Sequence, residues 1–315
     1  MMIIDSHAHV YPTDYLDFLE EIGVDPESTK VARDLSASSE PADLADRLSQ
    51  MDHAGVDVQV LSAVPQLPIV PDADAALAAA VMVNDRYRTI LAEHPSRFLA
   101  YGALPVPHVQ ASLHELERIA PWEGFVGICL PTTIGDVTLD DPVLNPLWEA
   151  LDALGSRVYI HPAGVGAQSP LITDHGLTWV NGAPIEDGIA VLHLLKANVP
   201  ARFPAIRFHI AHLAGDLLFL AQRIEDNYNH WGAFERSPRE SLLRMWFDSA
   251  NFHAPSLRLA RDTVGADHLL LGSDHPYFQD ELYTRAVTYV RDAGLPEEEV
   301  AAILSGVSLF GEVNR

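Results

Sequence analysis

Lysine is nearly absent from this chain of 315 residues: only Lys30 and Lys196 occur. Lys and Arg together number 20 against 44 Asp and Glu, a formal net charge of −24. A surface of that sign repels nucleic acid and anionic membranes, whose recognition needs clustered cations, so neither is expected as a partner. The acids are dispersed rather than gathered in runs, which reads as solubility and not as a cation sink. An anionic substrate would have to be drawn in locally, by a metal or by individual arginines. Cysteine is just as scarce. Cys129 stands alone, so no internal disulfide can form, and its apolar run Phe125-Val-Gly-Ile-Cys-Leu130 implies a buried, inert thiol. No apolar run reaches the length of a membrane span. Met1-Met-Ile-Ile-Asp-Ser-His7 has neither the basic start nor the apolar centre of a signal peptide. A cytoplasmic protein is the expectation.

What the sequence does contain is alternation. Apolar runs at Met2–Val10, Val56–Ala63, Phe98–Leu104, Phe125–Leu130, Arg157–His161, Ile206–His212, Met245–Ala250 and His268–Gly272 have the near-continuous Val/Ile/Leu character of parallel strands covered on both sides. Helical patterns lie between them, at Asp72–Glu93, Val109–Ile119, Asp141–Leu154, Pro184–Asn198, Ala214–Tyr228, Ala254–Val264 and Gln279–Ala293. Eight such units predict an α/β fold, a closed (β/α)8 barrel, rather than an open doubly wound sheet. The open sheet carries a glycine-rich nucleotide loop after its first strand; here that place holds His7-Ala-His9 and Tyr11-Pro12. Two segments, Pro12 to about Pro41 and Ala163–Ala183, read as long connections of the kind that form an active-site face. The first is expected as an insertion after strand one. With no repeat or linker in view, residues 1–315 are expected to form one domain.

In Asp5-Ser-His-Ala-His9, residues two apart project from one face of a strand, about 6–7 Å apart along the backbone. Two imidazoles so placed can converge on one ion, or each can simply be satisfied by hydrogen bonds. Other polar residues at strand ends favour the ion. His161 closes the fifth run, His212 the sixth, and Asp274 follows the eighth in Leu269-Leu-Leu-Gly-Ser-Asp274. A barrel gathers all these positions on one rim. Imidazoles with one carboxylate suit zinc first, with manganese or iron also possible. Among the remaining histidines, His209 lies three before His212 and is expected on the opposite face, against a helix. His275 is expected no nearer than a group supporting the site.

These pieces resemble the amidohydrolase superfamily, in the amidohydrolase-related branch of aminocarboxymuconate semialdehyde decarboxylase and the resorcylate-type decarboxylases. The resemblance rests on Ile4-Asp-Ser-His-Ala-His9, Met51-Asp-His-Ala-Gly-Val56, Arg97-Phe-Leu-Ala-Tyr-Gly-Ala-Leu104, Ile160-His-Pro162, Phe203-Pro-Ala-Ile-Arg207 leading to Ala211-His212, and Gly272-Ser-Asp274. It implies His7, His9, His161 and Asp274 as metal ligands. It implies His212 as a catalytic histidine beside Asp274, Arg47 as a partner of the substrate carboxylate, and Trp179 as a substrate contact. Relatives with two ions bridge them through a strand-four lysine. Phe125–Leu130 has none, so a single divalent ion is expected. A homodimer is implied as well.

Three stretches depart from the branch. Ala211-His-Leu-Ala-Gly215 replaces Ala-His-Gly-Gly-Gly, and is expected to narrow or reshape the pocket through Leu213 and Ala214. Ser273-Asp-His-Pro-Tyr277 replaces an Asp-Tyr-Pro or Asp-Trp-Pro pattern, and Ala163-Gly-Val-Gly166 lacks an aromatic residue. The expected activity is non-oxidative decarboxylation of an unsaturated or aromatic carboxylic acid, a small molecule, with metal-bound water as proton donor. The alternative on the same residues is hydrolysis of a C–C, ester, lactone or amide bond. A metal-storage scaffold is disfavoured, because three histidines, one aspartate and a spare histidine suit an open catalytic site.

Overall fold

The computed structural model describes residues 1–33 and 35–312. Eight parallel strands follow one another around a barrel: β1 (Ile4–His9), β2 (Val58–Ser62), β3 (Phe98–Ala103), β4 (Phe125–Pro131), β5 (Arg157–His161), β6 (Arg207–Ile210), β7 (Met245–Asp248) and β8 (Leu269–Leu270). Each sequence-predicted strand is present, with ends within two residues of expectation. Closure between first and last strands is made by backbone bonds: Ser6 N to Leu271 O at 2.8 Å, Asp274 N to His7 O at 2.9 Å and His9 N to His275 O at 2.8 Å. Every residue of β1, β2 and β3 is buried, as strands covered on both faces must be.

The helices form the outer ring: α1 (Thr13–Glu21), α2 (Pro41–Ala54), α3 (Ala73–Glu93), α4 (Val109–Ile119), α5 (Asn145–Ala153), α6 (Ala183–Lys196), α7 (Leu217–Trp231), α8 (Ala254–Val264), α9 (Glu281–Arg291) and α10 (Glu297–Ser305). Their limits follow local chemistry. Asp72 caps α3 by accepting from the amides of Asp74 and Ala75. Pro41 opens α2, and Gly55, at φ 74°, closes it in a left-handed turn. The stretch after β1, expected as one long connection, in fact carries α1 and a short helix at Pro26–Thr29. α1 was missed because it is nine residues long and buries only Tyr15, Leu16 and Leu19, too few for a period to show. Cys129 is buried and its thiol is pushed up to about 12 by burial, as an inert core residue requires.

Candidate metal centre

The strand ends deliver four donors to one point. One ligand atom from each of His7, His9, His161 and Asp274 lies within 4.8 Å of all the others. His7 Nε2 is 3.2 Å from His9 Nε2, and Asp274 Oδ1 is 3.2 Å from both. A tetrahedral ion with arms of about 2.0–2.1 Å places its ligands about 3.3–3.4 Å apart, so this spacing fits one divalent ion. The opposite ring nitrogens are already committed. His7 Nδ1 pairs with Asp248 Oδ2 at 3.0 Å, His9 Nδ1 with Ser62 Oγ at 3.1 Å, and His161 Nδ1 with the Pro162 carbonyl at 3.0 Å. Each partnership turns Nε2 inward as an acceptor, and acceptors that close repel unless a proton or a cation lies between them.

The electrostatics tell the same story. Burial alone works against a charged His7, but Asp248 and then Asp274 outweigh it and raise the ring to about 9. Burial lowers His9 to about 4 and holds His161 well below its ordinary value. Asp274 and Asp248 are both buried, which opposes ionisation, yet His7 beside them keeps each well below the usual carboxylate range. Among the four donors, burial thus favours the neutral form of His9 and His161, while the Asp248 and Asp274 carboxylates favour a proton on His7.

Beyond the four donors lies a cavity of about 450 Å³, walled by Val31, Trp179, Val180, Phe252, Tyr277 and Phe278 with His161, His212 and Asp274 at its floor. Val31 comes from the segment after β1, and Trp179 and Val180 from the segment after β5, so both long connections reach the site. Gly164 lets Trp179 in: a Cβ there would meet the indole at 2.5 Å. Among the described residues, no lysine or arginine lines this cavity. His212 sits beside the donors, its Nε2 3.7 Å from Asp274 Oδ2 and its Nδ1 2.8 Å from Asp187 Oδ2. Burial pushes Asp187 up to about 7, although pairing with His212 works downward.

The structure places Arg47, expected to meet the substrate carboxylate, away from this cavity. It is 1% exposed, off the cavity wall, and its guanidinium donates to Gln59 Oε1 at 2.7 Å and to the His9 carbonyl at 2.6 Å. A helix residue four before Met51 faces the barrel here, so its charge braces the backbone of a ligand instead of meeting solvent. His209 also differs from expectation. It lies inside the barrel, 3.2 Å from Asp248, 3.0 Å from the Tyr101 hydroxyl and stacked on Tyr159. Strand parity does not extend to His212, because β6 ends at Ile210 and the chain enters a left-handed turn. That turn also redirects Leu213 and Ala214, which are buried at φ 55° and 56° and line no part of the cavity. The departure from glycine there alters backbone strain rather than pocket width. His275 is buried against the edge of Tyr283, 5.1 Å between ring centroids.

Two residues of the site went unread in the sequence. Asp248, at the end of β7, followed the same rule as the others, a polar residue closing an apolar run. Asp187 sits near the start of α6 rather than at a strand end, and gave no such signal.

A family model described as amidohydrolase matches residues 4–307, and the chain belongs to that family. It is 28% identical over 300 residues to a 2-amino-3-carboxymuconate-6-semialdehyde decarboxylase of Dictyostelium discoideum, covering 89% of this chain and 83% of that one. It is 29% identical over 252 residues to a gamma-resorcylate decarboxylase of Rhizobium sp., covering 73% and 76%. The fold matches that of a dihydroxybenzoic acid decarboxylase from Polaromonas sp. JS666, whose crystal structure holds manganese and the inhibitor 2-nitroresorcinol. The TM-score is 0.83 at 21% identity, over 98% of this chain and 96% of that one.

Proposed function

We propose that this chain is a metal-dependent, non-oxidative decarboxylase of an aromatic carboxylic acid. The observation that carries the reading is the junction of a four-donor centre with a cavity walled by Trp179, Phe252, Tyr277 and Phe278. Aromatic walls favour a planar ring. With no lysine or arginine on those walls among the described residues, one carboxylate on the substrate is favoured over two. A divalent ion, when bound, supplies the charge that anchors this carboxylate and polarises groups beside it. The donor set suits zinc first, and the manganese held by the similar Polaromonas enzyme makes that ion the second choice.

The chain's own residues supply the rest. Trp179 packs against the ring and keeps water from its face. Decarboxylation needs a proton at the ring carbon that bears the carboxylate; the C–C electron pair then returns to the ring as carbon dioxide leaves. His212 and Asp274 face that position and hold or move the proton there. The assembly we propose is a homodimer, which light scattering on the purified chain tests.

The test is carbon dioxide release from hydroxybenzoates and from muconate-type acids by protein loaded with zinc or with manganese. Release from the ring acids, lost in His212→Ala while the metal stays bound, is the expected result. Silence on every acid, or acid formation from esters and lactones in its place, would transfer the site to hydrolysis.

A further inference from the structure

Glu186 and Asp187 are adjacent in α6, both buried, and they are used in opposite ways. Glu186 engages both of its oxygens: Oε2 accepts from Thr132 Oγ1 at 2.9 Å and from the amides of Ala163 and Gly164 at 2.9 and 3.1 Å, and Oε1 accepts from the amide of Ala167 at 3.3 Å. Its work is to fold the segment that follows His161. Among the described residues, Asp187 makes one hydrogen bond. Oδ2 takes His212 Nδ1 at 2.8 Å, and Oδ1 is buried without a partner. Burying a carboxylate costs several kcal/mol unless paired and hydrogen-bonded, so a carboxylate kept for a single imidazole contact acts on that imidazole.

We propose that Asp187 is the positioning residue of His212, holding the ring with its proton on Nδ1 so that Nε2 faces Asp274 and the cavity. Where the Asp187 carboxylate is ionised it can only accept, so His212 Nδ1, 2.8 Å away, is the donor. The other end of the ring is then free to give or take a proton beside Asp274. The distance is set by backbone rather than by a flexible side chain. A Cβ on Gly215 would lie 2.0 Å from the Pro184 carbonyl, and one on Gly188 would lie 3.2 Å from the Ala214 carbonyl. The first turn of α6 is therefore pressed directly onto the His212–Gly215 turn, with Asp187 carried between the two contacts. His212 is fixed a second time through its amide, which donates to Asp248 Oδ1 at 3.1 Å. Backbone held by Asp248 and ring held by Asp187 leave the imidazole one orientation.

The tautomer is tested on the metal-free protein, and the kinetic arm rests on the decarboxylase reading above. In protein labelled with 15N-histidine, the His212 signals are assigned by their loss in His212→Gln. At a pH high enough that the ring carries a single proton, the expected wild-type spectrum has that proton on Nδ1, and in Asp187→Ala that preference disappears. In loaded enzyme, Asp187→Asn is expected to lower kcat about 10- to 100-fold, with KM changed less than about threefold and bound metal unchanged. A wild-type His212 carrying its only proton on Nε2 overturns the proposal, and so does an Asp187→Ala protein with an unaltered His212 spectrum. A kcat loss matched by loss of metal would assign Asp187 to the metal centre and likewise overturn it. Should Asp187→Ala fail to fold, the wild-type spectrum and Asp187→Asn still decide. If the wild type decarboxylates nothing, the functional reading fails while the spectra still judge Asp187.

Discussion

Asp248 Oδ2 lies 3.0 Å from His7 Nδ1, and the same carboxylate also takes His209 Nε2 at 3.2 Å and the amides of His212 and Ala250 at 3.1 Å. One buried aspartate at the end of β7 thus orients His7, one of the four candidate donors, and anchors the turn that carries His212. Gly272 makes room for it, since a Cβ there would lie 2.7 Å from Asp248 Oδ1. Asp248→Asn keeps the shape and removes the charge. Metal affinity is expected to weaken about 10- to 100-fold, read by competition with a chelator of known affinity. Wild-type affinity in that variant would remove Asp248 from the centre.

Metal uptake is expected to release one proton. His7 is raised to about 9 in the metal-free protein, so below that pH it is protonated and must lose its proton to ligate. His9, at about 4, and His161, held well below its ordinary value, are neutral already at pH 6 to 8, and Asp274 is already ionised. The sign follows: affinity rises with pH, about tenfold per unit between pH 6 and 8, and levels off above about 9. Calorimetry in buffers of different ionisation enthalpy counts the protons. A count of zero contradicts this arrangement.

Arg47 is expected to matter for stability and not for substrate affinity. Arg47→Met removes the partner of Gln59 Oε1 and of the His9 carbonyl in the core, each worth about 1–3 kcal/mol, for a total loss of about 2–6 kcal/mol. Urea unfolding measures the loss. In the folded fraction, KM for a carboxylate substrate should stay within about twofold, and a large rise in KM would restore Arg47 as a substrate contact.

Ala214 sits at φ 56°, a conformation that glycine adopts without strain. Ala214→Gly is expected to stabilise the fold by about 1 kcal/mol, seen as a higher urea midpoint. Leu213→Gly relieves a similar strain but empties a side chain that is 3% exposed, and should destabilise. Equal effects from the two variants would contradict the assignment of strain to this turn.

Much of the site was legible in sequence because it follows a local rule. His7, His9, His161 and Asp274 each close or follow an apolar run, and a parallel barrel carries all such ends to one rim. The eight strands were legible for the same reason: burial on both faces writes a continuous apolar run into the chain. The single ion was legible in the residue types and in the strand-four sequence without lysine.

What only the tertiary structure decided were relations across the barrel, which no local pattern encodes. Arg47 reads identically as a substrate contact, a solvated helix residue or a brace; its distance to the His9 carbonyl chooses the brace. His209 and His212 looked like opposite faces of one strand until a left-handed turn broke the parity between them. Asp187 became a partner of His212 only because α6 packs backbone to backbone on that turn, through two glycines 27 residues apart (Gly188 and Gly215). The sequence by itself determined which side chains reach the rim. Packing between elements decided which of them face the metal, which face one another, and which only hold the others in place.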